Sequence, residues 1–127
     1  MKEVFSTENA PAAIGTYAQA VRHDNTVYVS GQIPLDPASM EIVSDDFEEQ
    51  AARVFENISA VCSAAGGTLD DVVKFTVYLT DLSDFGTVNE VMARFLSEPY
   101  PARAAVQVSA LPRGARIEVD AIVALDN

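Results

Sequence analysis

The amino-acid sequence predicts an α+β domain: a single mixed β-sheet with two helices packed on one face. Three observations support it. Two long segments carry apolar residues at helical spacing, six shorter ones are rich in β-branched and aromatic residues, and their order is β-β-β-α-β-α-β-β. Strands and helices segregated in this way fit an α+β sheet rather than a regular βαβ repeat. Residues 1–127 suit one compact domain, with no repeat, low-complexity stretch or linker-like shift in composition.

The first strand is expected over Glu3 to Ser6. A turn-rich stretch through Asn9-Ala10-Pro11 and Gly15 leads to an apolar run, Tyr17 to Arg22. Asp24-Asn25 marks a tight turn, since both residues tolerate left-handed backbone, and Thr26 to Ser30 is its hairpin partner. Gly31 is expected to end that strand, before a loop carrying Pro34 and Pro37. From Asp46 to Ala65, the residues Phe47, Ala51, Val54, Phe55, Ile58, Val61 and Cys62 form one apolar stripe. Asp45 with Glu48 resembles a capping box, and Gly66-Gly67 supplies the stop. A strand at Val72 to Thr80 follows, then a second helix from Ser83 to Ser97 that Pro99 and Pro101 prevent from continuing. Two strands close the chain, Arg103 to Ser109 and Arg116 to Leu125, joined by Leu111-Pro112-Arg113-Gly114. With both helices on one face, the other sheet face is left bare, and burial in an oligomer is the expected remedy.

Composition excludes several functions. Eight Lys and Arg stand against nineteen Asp and Glu, a net charge of −11. Nucleic-acid binders need clustered cations to displace phosphate counterions, and here they are few and scattered. Anionic membrane surfaces are disfavoured on the same ground, and no apolar run reaches the ~20 residues of a membrane span. A carboxylate ligand would need a local pocket built around one specific cation. Cys62 is the single cysteine, so no internal disulfide forms, and a reducing cytoplasm is expected. The opening residues lack the pattern of a secretory signal, and the Asn57-Ile58-Ser59 sequon falls inside the helical stripe.

Strand periodicity singles out Arg103 and Glu118. Alternation groups Ala104, Val106 and Val108 on the core face, leaving Arg103, Ala105 and Gln107 opposite. In the last strand Ile117, Val119, Ala121 and Val123 share a face, leaving Glu118 and Asp120 opposite. Two readings stay open: a structural salt bridge or solvated strand face, and a guanidinium fork that takes a carboxylate bidentately. Asn89 sits at the edge of the second apolar stripe, where its amide either caps a loop or binds a ligand. His23 stands alone in a turn, and Cys62 reads as an inert core thiol. The acidic clusters at 45–49 and 70–71 read as a helix start and a solvated turn, so no metal site is expected. There is no phosphate-cradling glycine loop and no Gly-x-Ser-x-Gly elbow.

Three stretches together resemble the Rid (reactive intermediate deaminase, YjgF-type) family. They are Glu8-Asn9-Ala10-Pro11-Ala12-Ala13-Ile14-Gly15 with Tyr17, then Ser30-Gly31-Gln32-Ile33-Pro34, then Pro101-Ala102-Arg103 with Leu111-Pro112 and Ile117-Glu118-Val119. Intervening pieces fit too, including Ala65-Gly66-Gly67 and Asp81-Leu82-Ser83-Asp84-Phe85, so the match is collinear along nearly the whole chain.

The resemblance implies a chorismate-mutase-like trimeric fold with ligand clefts between subunits. It also implies hydrolysis of 2-iminopropanoate, 2-iminobutanoate and related imines or enamines to 2-oxo acids and ammonia, without a cofactor. By the same resemblance Arg103 holds the substrate carboxylate, Glu118 positions and activates water, and Tyr17, Ser30, Gly31 and Asn89 line the cleft. Two departures stand out. Ala105 replaces the family's cysteine two residues beyond the arginine, so only its backbone can serve the site, and Thr16 replaces a proline. Alternatives are a non-enzymatic 2-oxo acid-binding regulatory trimer, a chaperone-like one, or a deaminase for another enamine such as an aminomuconate. The ribonuclease activity attributed to certain relatives is disfavoured by the −11 charge.

Overall fold

The computed structural model describes residues 1–126. Its elements are β1 (Glu3–Phe5), β2 (Ala20–His23), β3 (Thr26–Gln32), α1 (Phe47–Ala64), β4 (Val72–Leu79), α2 (Phe85–Phe95), β5 (Ala102–Gln107) and β6 (Ile117–Ala124). The six strands form one sheet in the order β1-β2-β3-β6-β4-β5. Only β4 and β5 run parallel, which is why a crossover through α2 is needed to join them. The α+β class, the element order and the mixed sheet are as the sequence predicts.

Both helices cover one sheet face. Ala51, Val54, Phe55, Ile58, Val61 and Cys62 of α1 are almost completely buried against Val27 and Val29 of β3, Phe75, Val77 and Leu79 of β4, and the alternate residues Ile117 to Val123 of β6. Phe55 meets Phe75 edge-on, with ring centres 5.5 Å apart. From α2, Val88, Val91 and Met92 complete the layer. On the opposite face Val4 (59% exposed), Tyr28 (49%) and Val106 (43%) stand open, a row of apolar side chains that nothing among the described residues covers.

Several boundaries shift from the sequence expectation, each for a local reason. The α1 cap is Asp46, not Asp45: its extended backbone lets the carboxylate accept from the Glu49 N–H at 3.0 Å. Asp45 stays outside the helix, its carbonyl accepting from Arg116 Nη1 at 3.3 Å. Gly66, at φ +91°, does end the helix, and the Gly67 N–H reaches back to the Cys62 carbonyl at 2.9 Å. Gly31 does not end β3; the strand continues to Gln32 across an irregularity in its pairing with β6. The run from Tyr17 becomes strand only at Ala20, and α2 is shorter than expected, following a 3₁₀ turn at Leu82–Asp84 and ending with Phe95. No helix among the described residues is long and apolar enough to cross a membrane.

Candidate active site

Register decides where the two predicted site residues go. Phe75 and Val77 of β4 face the helices, and their β5 partners are Arg103 and Ala105. Arg103, Ala105 and Gln107 therefore lie on the helix side, and Ala104 and Val106 on the open side. This reverses the face assignment read from strand alternation. Glu118 pairs with Tyr78, between the buried Ile117 and Val119, so it lies on the open side as expected. The two residues are consequently not neighbours. They project from opposite faces, and β4 separates their strands by two strand spacings, roughly 10 Å. The Arg103–Glu118 salt bridge considered from the sequence does not form within the chain.

Arg103 belongs to the first of two groups. Its Nη1 donates to Asn89 Oδ1 at 2.5 Å and lies 3.6 Å from Met92 Sδ, while its guanidinium carbon sits 4.7 Å from the centre of the Phe85 ring. The α2 residues 85, 89 and 92, one helical turn apart, thus form a cradle that orients the fork. Among the described residues no carboxylate lies within ion-pairing distance of it. Asn89, Met92 and Arg103 line, with Leu96, Tyr100 and Pro101, a hollow of about 460 Å³. Asn89 serves neither loop nor helix end; its amide oxygen is spent on Arg103. Ala105 lies two residues along the same face, half-buried against the core.

Glu118 belongs to the second group, a cavity of about 470 Å³ with Tyr17, Ser30 and Gly31. The Ser30 hydroxyl donates to the Ala18 carbonyl at 2.6 Å, which leaves its oxygen as an acceptor. Tyr17 is half exposed, its hydroxyl accepting a long contact from the Ile14 N–H at 3.4 Å. Gly31 gives the Glu118 carboxylate its room: a Cβ there would push that side chain out of its present position. Burial, and then the like charge of Asp120, raise the Glu118 carboxyl above its ordinary value. Asp120 in turn accepts from the Tyr78 hydroxyl at 3.1 Å. The cavity also includes Met40 and Arg113, which the sequence did not single out: neither falls in an apolar stripe, and only folding brings their distant loops together.

The residues set aside from the sequence stay apart from both groups. His23 is exposed, 3.6 Å from Asp24. Cys62 is fully buried, and burial pushes its thiol up to about 11. Asp71 caps the short turn at 69–71 jointly with Thr68, and no cluster of three metal-ligating side chains occurs among the described residues.

Comparison with known proteins places this geometry in context. Residues 7–125 match the family described as Endoribonuclease L-PSP. The mouse 2-iminobutanoate/2-iminopropanoate deaminase is 49% identical, over 96% of this chain and 90% of its own length. The structure of RidA from the Antarctic bacterium Psychrobacter sp. superposes with a TM-score of 0.94 at 58% identity, covering 97% of this chain and 99% of that one. Escherichia coli TdcF, solved with bound serine, gives a TM-score of 0.93 at 42% identity, over 98% and 99% of the two chains. The single mixed sheet with two helices on one face is therefore shared along the full length, and the chain belongs to the Endoribonuclease L-PSP family, the Rid or YjgF-type proteins.

Proposed function

We propose that this protein hydrolyses reactive 2-imino and enamine acids, such as 2-iminopropanoate and 2-iminobutanoate, to 2-oxo acids and ammonia. The observation that carries the proposal is the division of its charged groups: an oriented guanidinium on one face and a shielded carboxylate on the other, each in its own hollow. A 2-imino acid has its carboxylate one bond from the reacting carbon, so neither hollow alone serves it. A homotrimer whose open sheet faces pack together, with Arg103 and Asn89 of one subunit meeting Tyr17, Ser30, Gly31 and Glu118 of a neighbour, supplies both. The naming of relatives about half identical to this chain as deaminases supports the same reading.

In this mechanism Arg103 takes the carboxylate in a bidentate grip and sets the position of C2. Glu118, ionised, orients a water and accepts its proton as the oxygen bonds to the iminium carbon. The resulting carbinolamine receives that proton from Glu118 on nitrogen, the C–N bond breaks to release ammonia, and the hydroxyl proton passes to Glu118 and on to the ammonia, leaving the 2-oxo acid and ammonium. Water is the only co-reactant and no covalent nucleophile takes part, so Ala105 in place of a thiol does not block the path. A ribonuclease reading taken from the family description has no basic surface to rest on, with eight Lys and Arg against nineteen acids.

The test couples an imine-releasing dehydratase to the protein and follows 2-oxo acid formation against semicarbazide trapping. Wild type is expected to accelerate hydrolysis, Arg103→Ala to abolish the effect, and Glu118→Gln to bind 2-oxobutanoate while losing turnover by ~10²–10⁴-fold. Acceleration undiminished in Arg103→Ala would defeat the proposal. Full turnover in Glu118→Gln would remove the carboxylate from the mechanism.

A further inference from the structure

We propose that Met40 determines which substrate side chains are accepted, and that Arg113 is the positioning residue that holds it in place; this rests on the deaminase reading above. The favoured class is imines of 2-amino acids with apolar side chains longer than two carbons. Met40 and Arg113 share an uncommon feature: both are non-glycine residues in the left-handed region, at φ 60°. Such backbone is strained, and surrounding structure must hold it. They are also joined to each other, Arg113 Nη1 donating to the Met40 carbonyl at 2.7 Å. Both line the cavity that contains Glu118.

The loop bearing Met40 is a built structure. Leu35 and Ile42 bridge across it, the Asp36 N–H donates to the Glu41 carbonyl at 2.9 Å, and the Met40 N–H donates to the Asp36 carbonyl at 2.8 Å. The Asp36 carboxylate accepts from the Ala38 and Ser39 N–H groups at 2.8 and 3.1 Å. From the core, Asn57 Nδ2 of α1 grips the Leu35 carbonyl at 3.1 Å. A rigid loop that needs left-handed backbone at its tip is served at least cost by glycine, yet it presents methionine. With Ile14, Leu35 and Pro112 this methionine gives the cavity an apolar part of its lining, beside the polar groups of Glu118 and Ser30. A flexible thioether in this lining is suited to contacting apolar chains of varied length.

The test uses imines generated from alanine through norleucine by an amino-acid oxidase, with semicarbazide competition. Wild type is compared with Met40→Gly, Met40→Gln, Arg113→Ala and Arg113→Lys. In Met40→Gly, the kcat/KM ratio of the norleucine imine to the alanine imine should fall about tenfold, the scale of one or two lost apolar contacts. Its melting temperature should be no lower than that of wild type. Met40→Gln, of similar size but polar, should lose the ratio as well, Arg113→Ala should lose it in part, and Arg113→Lys should largely restore it. A ratio unchanged in both Met40 variants, in a wild type that accelerates hydrolysis, overturns the proposal. Calorimetric affinities for 2-oxohexanoate and 2-oxopropanoate give the same ratio without turnover, so a wild type inactive on imines defeats the deaminase reading alone. An unchanged affinity ratio in Met40→Gly overturns the role of Met40.

Discussion

At Glu118 the surroundings oppose the charge that the chemistry requires. Burial and Asp120 favour its protonated form, so its folded carboxyl titrates above the ordinary glutamate value. A base acts only when ionised; kcat/KM for imine hydrolysis should therefore fall as pH drops through that raised value. Replacing Asp120 with Asn removes the like charge and should move this acid limb to lower pH, with binding of 2-oxobutanoate little changed. A pH–rate profile in both proteins checks it, and an unmoved limb would show that Asp120 does not reach the base. Arg103, Glu118 and Asn89 stand out in the sequence by periodicity, and their roles, with the candidacy of Tyr17, Ser30 and Gly31, come only from the resemblance to a family. The Arg103–Asn89 bond was not, since an amide at the edge of a stripe is compatible with many partners. Met40 was invisible: no pattern in the sequence marks a methionine that takes left-handed backbone.

At the scale of elements, α1 is the piece most clearly written in the sequence, because a wholly apolar stripe leaves it one way to lie on the sheet. Its buried amides were silent to that pattern. Gln50, 2% exposed, donates to the Ser44 carbonyl at 2.9 Å and accepts from the Arg116 N–H at 3.0 Å, tying the start of α1 to the start of β6. Gln50→Leu leaves both backbone groups unpaired and should destabilise the fold by roughly 1–3 kcal/mol. Phe55→Ala, which removes a ring packed on Phe75 and Phe95, should cost more, roughly 3–5 kcal/mol. Urea unfolding monitored by circular dichroism ranks the two; the reverse order would mean that the stitch outweighs the ring. The β5 face was misread for a plain reason. Ala102 to Val106 sets small apolar residues on both faces, so alternation carries no signal there, and only the parallel register with β4 assigns Arg103 to the helix side. Arg103 tolerates that side because its guanidinium lies over the Phe85 ring and donates to Asn89, at the edge of the sheet where the residue stays solvent-exposed.

For the whole molecule, the bare sheet face was anticipated, because two helices cannot cover both sides of six strands. Light scattering should give three times the mass of one chain, and a charge at Tyr28 or Val106 should dissociate the assembly and extinguish activity together. The placement of Arg103 and Glu118 on opposite faces leads somewhere else again, to inheritance. If every site borrows from two chains, then a protein dead through Arg103→Ala and another dead through Glu118→Gln are each whole where the other is broken. Unfolded together and refolded as a mixture, they should regain activity at about a quarter of the sites, the share expected for random neighbours. Two inactive alleles in one cell would then complement each other, whereas a site held within one chain would leave the mixture as inactive as its parents.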